Sequence, residues 1–459
     1  MREATGITAE DLGLFTDLYQ LTMAQSYFDY RCFSPATFSL FIRNYPVHYG
    51  YFVAAGLATV IEYLEQVSFP ERALSYLRKS GRFRPEFLDF LAEWRFKGDV
   101  VALPEGCVCF SNEPILEVTA PIIDAQLVES FIVNAIHLQT LIATKASRCV
   151  RAAQGRALVD FALRRTHGTD AGMKVARASY LAGFTSTSNV LAGQVYNIPI
   201  AGTMAHSYVC SFTEEIEAFR AYASSYPEQT ILLIDTYDTL QGARHAVTVG
   251  LEMAQRGHRL RGVRLDSGDM VALSQQVRCI LDTAGLQEVP IVASGGFDEY
   301  AIAQAIEQDA CIDMFGVGTK MGVSAQAPFF DMAYKLVRYA DRPIMKLSSG
   351  KATFVERKQV WRRKQGEHYL EDIIAQRDEE LDFSDAERLL TPVMRGGKQV
   401  DELPPLQAAR DRHSEWMRHV PESYLQLDAP MTYPVRLSAG LASLQAQVEE
   451  QLHQAEQIE

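Results

Sequence analysis

Between Ala157 and Gly318 six short apolar runs recur every few tens of residues, each followed by a stretch with helical spacing. They read ALVDF (157–161), NIPIAG (197–202), TILLID (230–235), RLRGVRLD (259–266), VPIVASGG (289–296) and CIDMFGVG (311–318). An alternation of this kind needs parallel strands joined by helical crossovers, which close into a βα barrel or open into a doubly wound sheet. The barrel is the expected form, and its chemistry should sit just after the apolar runs, at the C-terminal ends of the strands.

The flanks follow a different rhythm. From Thr16, TDLYQLTMAQSYF carries an N-cap residue, an acid in the first turn and apolar positions at helical spacing. ATFSLFI, VVALPEG and ILEVTAP read as strands of an N-terminal layer, and a helical stretch over 124–153 leads out of it. Beyond Lys320 the runs MAYKLVRYA, RPIMKLS and KQVWRR suggest antiparallel strands returning to that layer, and the polar tail from Ser438 reads as a surface helix or a frayed end. The expected class is α/β: an irregular TIM-like βα barrel (151–330), with an α+β domain built from an N-terminal part (1–150) and a C-terminal segment packing back on it (331–459).

Lys and Arg number 44 against 57 Asp and Glu, and the net charge of −13 argues against a general nucleic-acid or anionic-membrane surface. An anionic substrate would therefore need arginines clustered locally. No apolar run reaches membrane-spanning length and the first residues lack a long apolar core, so a cytoplasmic location is expected. The seven cysteines are scattered, with only Cys107 and Cys109 close together and no second pair at zinc spacing, and we read them as reduced thiols.

Unusual residues gather where the barrel would place them. His206 follows GTMA, whose small side chains leave room for a substrate, although a lone histidine can equally be a packed core residue. Ser294, Gly295 and Gly296, then Gly316, Gly318 and Thr319, form two successive glycine turns that let backbone N–H groups approach a phosphate monoester. Arg264 and Asp266 in RLDSGD suit a sugar with an anionic neighbour, or else a strand-end salt bridge. Arg164 and Arg165 suit a diphosphate or a solvated turn, and Asp235 could orient a histidine or cap a helix. Together these describe a phosphosugar site, which an isomerase, an aldolase-like lyase or a transferase could each use.

In order along the chain, TDLYQLTMAQ, DFALRR, GFTSTSNVLAG, IAGTMAHSY, IDTYDT, GVRLDSGD, SGGFDE and FGVGTK together resemble the nicotinate phosphoribosyltransferase family, over about residues 14–365. The resemblance implies joining nicotinate to phosphoribosyl diphosphate to give nicotinate mononucleotide and diphosphate, the first step from nicotinate to NAD (the Preiss–Handler route). It implies Mg²⁺ and coupling to ATP hydrolysis through a phosphohistidine at His206, with Asp235 orienting its ring. ATP use in this family needs no Walker A loop, and none is present. Tyr19 and Phe161 match an aromatic pair that sandwiches the pyridine ring, the tyrosine coming from a neighbouring subunit, which implies a homodimer with shared sites.

By the same resemblance Arg264 pairs with the nicotinate carboxylate, Asp266 with ribose or Mg²⁺, Arg164 with diphosphate, and the two glycine turns with the 5′-phosphate. Ser188 and Asn189 are neutral where nicotinamide-using relatives carry an aspartate, which implies the acid-using branch. One departure is KATFVERKQVWR, where the family more often shows a proline-glycine before the basic pair. The competing readings are a nicotinamide-using enzyme, a phosphosugar lyase or isomerase using Lys320, and a non-catalytic metabolite sensor.

Overall fold

A computed structural model describes residues 8–347 and 353–456. Lys351 and Ala352, which open the KATFVERKQVWR segment, lie outside the described residues. The chain divides into two compact units, one spanning Thr144–Pro328 and the other joining the residues up to Ala143 with those from Phe329 onward.

In the Thr144–Pro328 unit six strands form one parallel sheet: β1 (Ala157–Asp160), β2 (Ser186–Thr187), β3 (Ile231–Leu233), β4 (Gly262–Leu265), β5 (Ile291–Ser294) and β6 (Met314–Val317). Their order is β2-β1-β6-β5-β4-β3. Most of their side chains are buried whichever way they point, as helix-covered parallel strands require. On one flank Leu232, Ile234, Val263, Leu265 and Ile291 pack with Phe219, Ala246, Val249, Val277 and Leu281 of the covering helices. Four helices start on a side-chain cap: Asn189, Asp238, Asp269 and Asp298 each accept from a backbone N–H in the first turn. These caps lie within a few residues of strand ends, so the loops that carry the chemistry are short.

Among the described residues the outer strands β2 and β3 share no hydrogen bonds, and the sheet is a parallel half-barrel. NIPIAG forms no strand of its own; Ile200 alone makes a parallel bridge, to Thr187. Asn197 is left-handed (φ +54°) where it ends the helix Val190–Tyr196, and Pro199 has no N–H to donate, so regular pairing stops there.

The other unit is built on a seven-stranded antiparallel sheet. In order its strands are Arg342–Pro343, Met332–Tyr339, Pro35–Ile42, Pro114–Pro121, Asp99–Ala102, Thr391–Arg395 and Lys398–Gln399, so segments from both ends of the chain interleave. The Pro35–Ile42 strand is buried on both faces after its first residue rather than half-exposed. A four-stranded sheet in the same unit holds a wholly buried ion pair, in which Arg362 grips Asp372 and donates through Nη1 to the Val108 carbonyl at 2.8 Å. The rings of Phe110, Tyr369, Trp416 and Tyr433 surround that guanidinium.

All seven cysteines are free, and burial pushes the Cys107 thiol up to about 12. The tail forms the helix Ala439–Glu456. Among the described residues no helix is long and apolar enough to cross a membrane.

Candidate active site

The C-terminal ends of the parallel strands open into one cleft of about 560 Å³. Phe161, Arg164 and Ser188 line it from the β1 and β2 side, Arg264 and Asp266 from the end of β4, and His206 from the start of the short helix His206–Cys210. Ser294 at the end of β5 with Gly295 and Gly296 after it, and Gly316 in β6 with Gly318 and Thr319 after it, complete the wall. Strand-end residues separated by up to 158 positions thus meet in one place.

Arg264 is the hub. Its Nε donates to Ser294 Oγ at 2.9 Å, Nη1 to Thr203 Oγ1 at 3.0 Å, and Nη2 to Asp266 Oδ1 at 2.9 Å, while the guanidinium lies 5.4 Å from the centre of the Phe161 ring. A planar fork with several donors is suited to such bridging. Asp266 also accepts from the Ser294 hydroxyl. Partial burial pushes the Asp266 carboxyl up, but the bonds from Ser294 and Arg264, with His206 nearby, hold it below the usual carboxylate range. Its Oδ2 lies 3.8 Å from His206 Nε2.

Backbone geometry explains the glycines. Gly295 has φ +92°, and a Cβ there would fall 2.2 Å from the Asp266 carbonyl oxygen. At Gly316 a Cβ would come within 2.5 Å of a Phe161 ring carbon, so the missing side chain is what lets the ring lie against β6. Asp160 is buried beneath this wall and accepts from Ala162 N–H at 2.8 Å and Thr187 Oγ1 at 2.7 Å; its burial raises the carboxyl pKa despite both bonds.

Two expectations change. Asp235 does not reach the His206 ring: its Oδ2 accepts from Asp266 N–H at 2.8 Å and from Ser267 Oγ at 2.7 Å, because a carboxylate at the end of β3 is closer to the adjoining β4 turn. The ring is held by Thr236 Oγ1, 3.1 Å from Nδ1. Asn189 does not line the cleft: it is buried, with Oδ1 accepting from Ala192 N–H at 3.1 Å and Nδ2 donating to the Gly172 carbonyl at 3.2 Å. That leaves Ser188 as the neutral residue of the pair at the cleft. Tyr19, on the helix Leu18–Asp29 of the other unit, is half-exposed and is not among the cleft-lining residues. Lys320 also stands apart from the lining, its Nζ 3.0 Å from Asp298 Oδ2, which deprives a Schiff-base reading of its lysine.

Family models cover most of the chain: the nicotinate phosphoribosyltransferase N-terminal domain matches residues 14–137, the nicotinate phosphoribosyltransferase family 156–340, and the C-terminal domain 379–445. The chain belongs to the nicotinate phosphoribosyltransferase family. A nicotinate phosphoribosyltransferase of Mycobacterium tuberculosis is 48% identical over 93% of this chain and 91% of its own length. One from Bacillus subtilis is 39% identical, covering 84% of this chain and 81% of its own. The crystal structure of human nicotinic acid phosphoribosyltransferase superposes with a TM-score of 0.86 at 28% identity, covering 94% of this chain and 99% of that one.

Within this family member, Thr203, Thr236 and Ser267 hold the site together without having been singled out. Each stands inside or beside a motif that was read, but a hydroxyl carries no charge or periodicity to mark it.

Proposed function

We propose that this chain transfers the phosphoribosyl group of phosphoribosyl diphosphate to nicotinate, with ATP hydrolysed through a phosphohistidine at His206, as the first step of the Preiss–Handler route to NAD. The observation that carries the reading is the convergence of His206, Arg264, Asp266, Ser188 and the two glycine turns on one cleft, in a chain of this family. The parallel strands act as the wall of an irregular barrel, with the cytoplasm as the setting.

Phe161 offers one face for the pyridine ring, and Tyr19 of a second copy covers the other, which makes the working form a homodimer with shared sites. The one N–H of Arg264 Nη2 that is left over from its bonds to Ser294, Thr203, the Met204 carbonyl and Asp266 takes the nicotinate carboxylate in a charge-assisted bond, while Ser188 adds no negative charge to that end of the cleft. The 5′-phosphate lies against the backbone N–H groups around Gly295, Gly296, Gly318 and Thr319, and Arg164 meets the diphosphate. As the bond at the anomeric carbon breaks, positive charge develops on ribose and negative charge on diphosphate; the ionised Asp266 favours the first and Arg164 the second.

Thr236 fixes the His206 ring. With Nδ1–H donated to its hydroxyl, Nε2 carries the lone pair and attacks the terminal phosphoryl group of ATP, with ADP leaving. Hydrolysis of the phosphohistidine then returns the imidazole. Asp235 Oδ1 is buried without a hydrogen-bond partner, and Asp266 Oδ2 is a further carboxylate oxygen at the cleft. This donor set fits Mg²⁺, which takes one or two carboxylates and completes its shell with water and substrate phosphates. Asp266 and Asp235 would hold the ion, which supplies charge neutralisation for the diphosphate.

The test follows mononucleotide and ADP together, from phosphoribosyl diphosphate, Mg²⁺ and either nicotinate or nicotinamide, with and without ATP. Nicotinate mononucleotide with ATP-stimulated turnover is expected; preference for nicotinamide would overturn the base assignment. His206→Ala should lose ADP formation and acid-labile phosphoprotein while retaining slower, ATP-independent transfer. Undiminished ATP coupling in that variant would remove His206 from the mechanism.

A further inference from the structure

The two glycine turns raise a physical problem. Backbone N–H groups recognise a phosphate only if both turns keep their spacing, and a site loosened by an ångström loses much of its effect. Gly295 and Gly296 both take positive φ, conformations chosen for shape rather than stiffness. Something outside the turns must hold them.

Asp298 and Lys320 stand just past the two turns. Asp298 caps the helix Glu299–Glu307 through Oδ1, which accepts from Ala301 N–H at 2.9 Å. Its Oδ2 receives Lys320 Nζ at 3.0 Å, from the short helix Thr319–Gly322 after β6, and Gln326 Nε2 at 2.6 Å. One carboxylate therefore ties the turn after β5 to the turn after β6. Behind it Glu299 is fully buried between Lys145 Nζ and Arg148 Nε, both on the helix Glu129–Ala152, and Lys145 also donates to the Gln326 side-chain oxygen. The chain of contacts Arg148–Glu299–Lys145–Gln326–Asp298–Lys320 anchors the tie to a long helix. Burial alone would push the Asp298 carboxyl up; the Ala301 N–H, Lys320 and Lys145 keep it ionised.

We propose that Asp298 and Lys320 are positioning residues for the sugar-phosphate end of the substrate: their ion pair braces the two glycine turns at the spacing that a 5′-phosphate requires. The proposal rests on the phosphoribosyl reading of the cleft. Neither residue lines the cleft, so each acts through the turns it joins.

The experiment compares wild type with Asp298→Asn, Lys320→Met, the double variant and Lys320→Arg. Asparagine is as good a helix cap as aspartate, so the first change removes the charge and keeps the helix start. KM for phosphoribosyl diphosphate, KM for nicotinate, kcat, melting temperature and the calorimetric affinity for ribose 5-phosphate are measured for each. Both single variants should raise the phosphoribosyl diphosphate KM and weaken ribose 5-phosphate by about tenfold, with nicotinate KM and melting temperature little changed. The double variant should be no worse than either single one, and Lys320→Arg should restore affinity. Unchanged phosphate affinity overturns the brace, as does an equal rise in both KM values accompanied by a lower melting temperature. Loss confined to Lys320→Met also overturns it, because that pattern marks direct phosphate contact by the lysine. A wild-type protein that neither binds ribose 5-phosphate nor makes mononucleotide fails at the earlier step and takes the underlying phosphoribosyl reading down with the brace.

Discussion

Each unit of the molecule contains an arginine–aspartate pair, and the two are put to different use. Arg362 and Asp372 are completely buried, closed in by aromatic rings and by backbone. Arg264 and Asp266 make the same kind of contact at 2.9 Å, yet their side chains stay 13% and 32% exposed and open into the cleft. Charges that a fold seals off specify packing, whereas charges it leaves at a wall remain available to a ligand. Sequence alone presents the first as two residues ten positions apart and the second as two residues two positions apart, and says nothing of which pair is sealed.

The comparison is sharpest in stability. Arg362→Met strands Asp372, beside buried Glu113, and should lower unfolding free energy by about 3–5 kcal/mol, read from the denaturant midpoint. Arg264→Met, whose partner can turn to water, should change it by less than about 1 kcal/mol. Equal losses would erase the distinction. In catalysis the order reverses: Arg264→Ala should raise the nicotinate KM by on the order of 2 kcal/mol, roughly thirtyfold. An unchanged KM would move the carboxylate site away from Arg264.

A smaller effect separates two adjacent residues. Asn189→Ala should cost about 1 kcal/mol of stability through the lost cap and leave base preference alone, whereas Ser188→Asp should turn preference away from nicotinate with little change in melting. Competition assays with the two bases, run beside thermal melts, distinguish them.

The smallest effect concerns pH. The Asp266 carboxyl is held low in the folded state, so its contribution to stability is present above its unfolded pKa and is lost as pH falls through the lower folded value. Ser294→Ala removes one donor and raises that folded value, so the acid limb of kcat/KM should move to higher pH. An unmoved limb would assign it to another group.

Strand ends were the most legible part of the sequence. Arg264, Asp266, Ser294 and Gly316 close or follow apolar runs, and a parallel sheet brings such ends together whatever their separation along the chain. Short elements were less legible. β2 has two residues and carries no periodicity, while NIPIAG has the apolar pattern of a strand but is stopped by Asn197 and Pro199. Side-chain direction was not legible at all. Asn189 and Asp235 have the chemistry of site residues, and whether such a group faces a ligand or a neighbouring backbone depends on rotamers that a string of letters does not record.

The division of labour between Ser188 and Asn189 bears on how such a protein can change over time. The helix start depends on position 189, and the cleft meets position 188, so a substitution at 188 alters what the wall presents without loosening the element behind it. On the proposed role of Ser188, substrate preference and foldability are inherited through neighbouring but separate codons. On that reading a change at position 188 exchanges an acid substrate for a neutral one without first accumulating spare stability to absorb it.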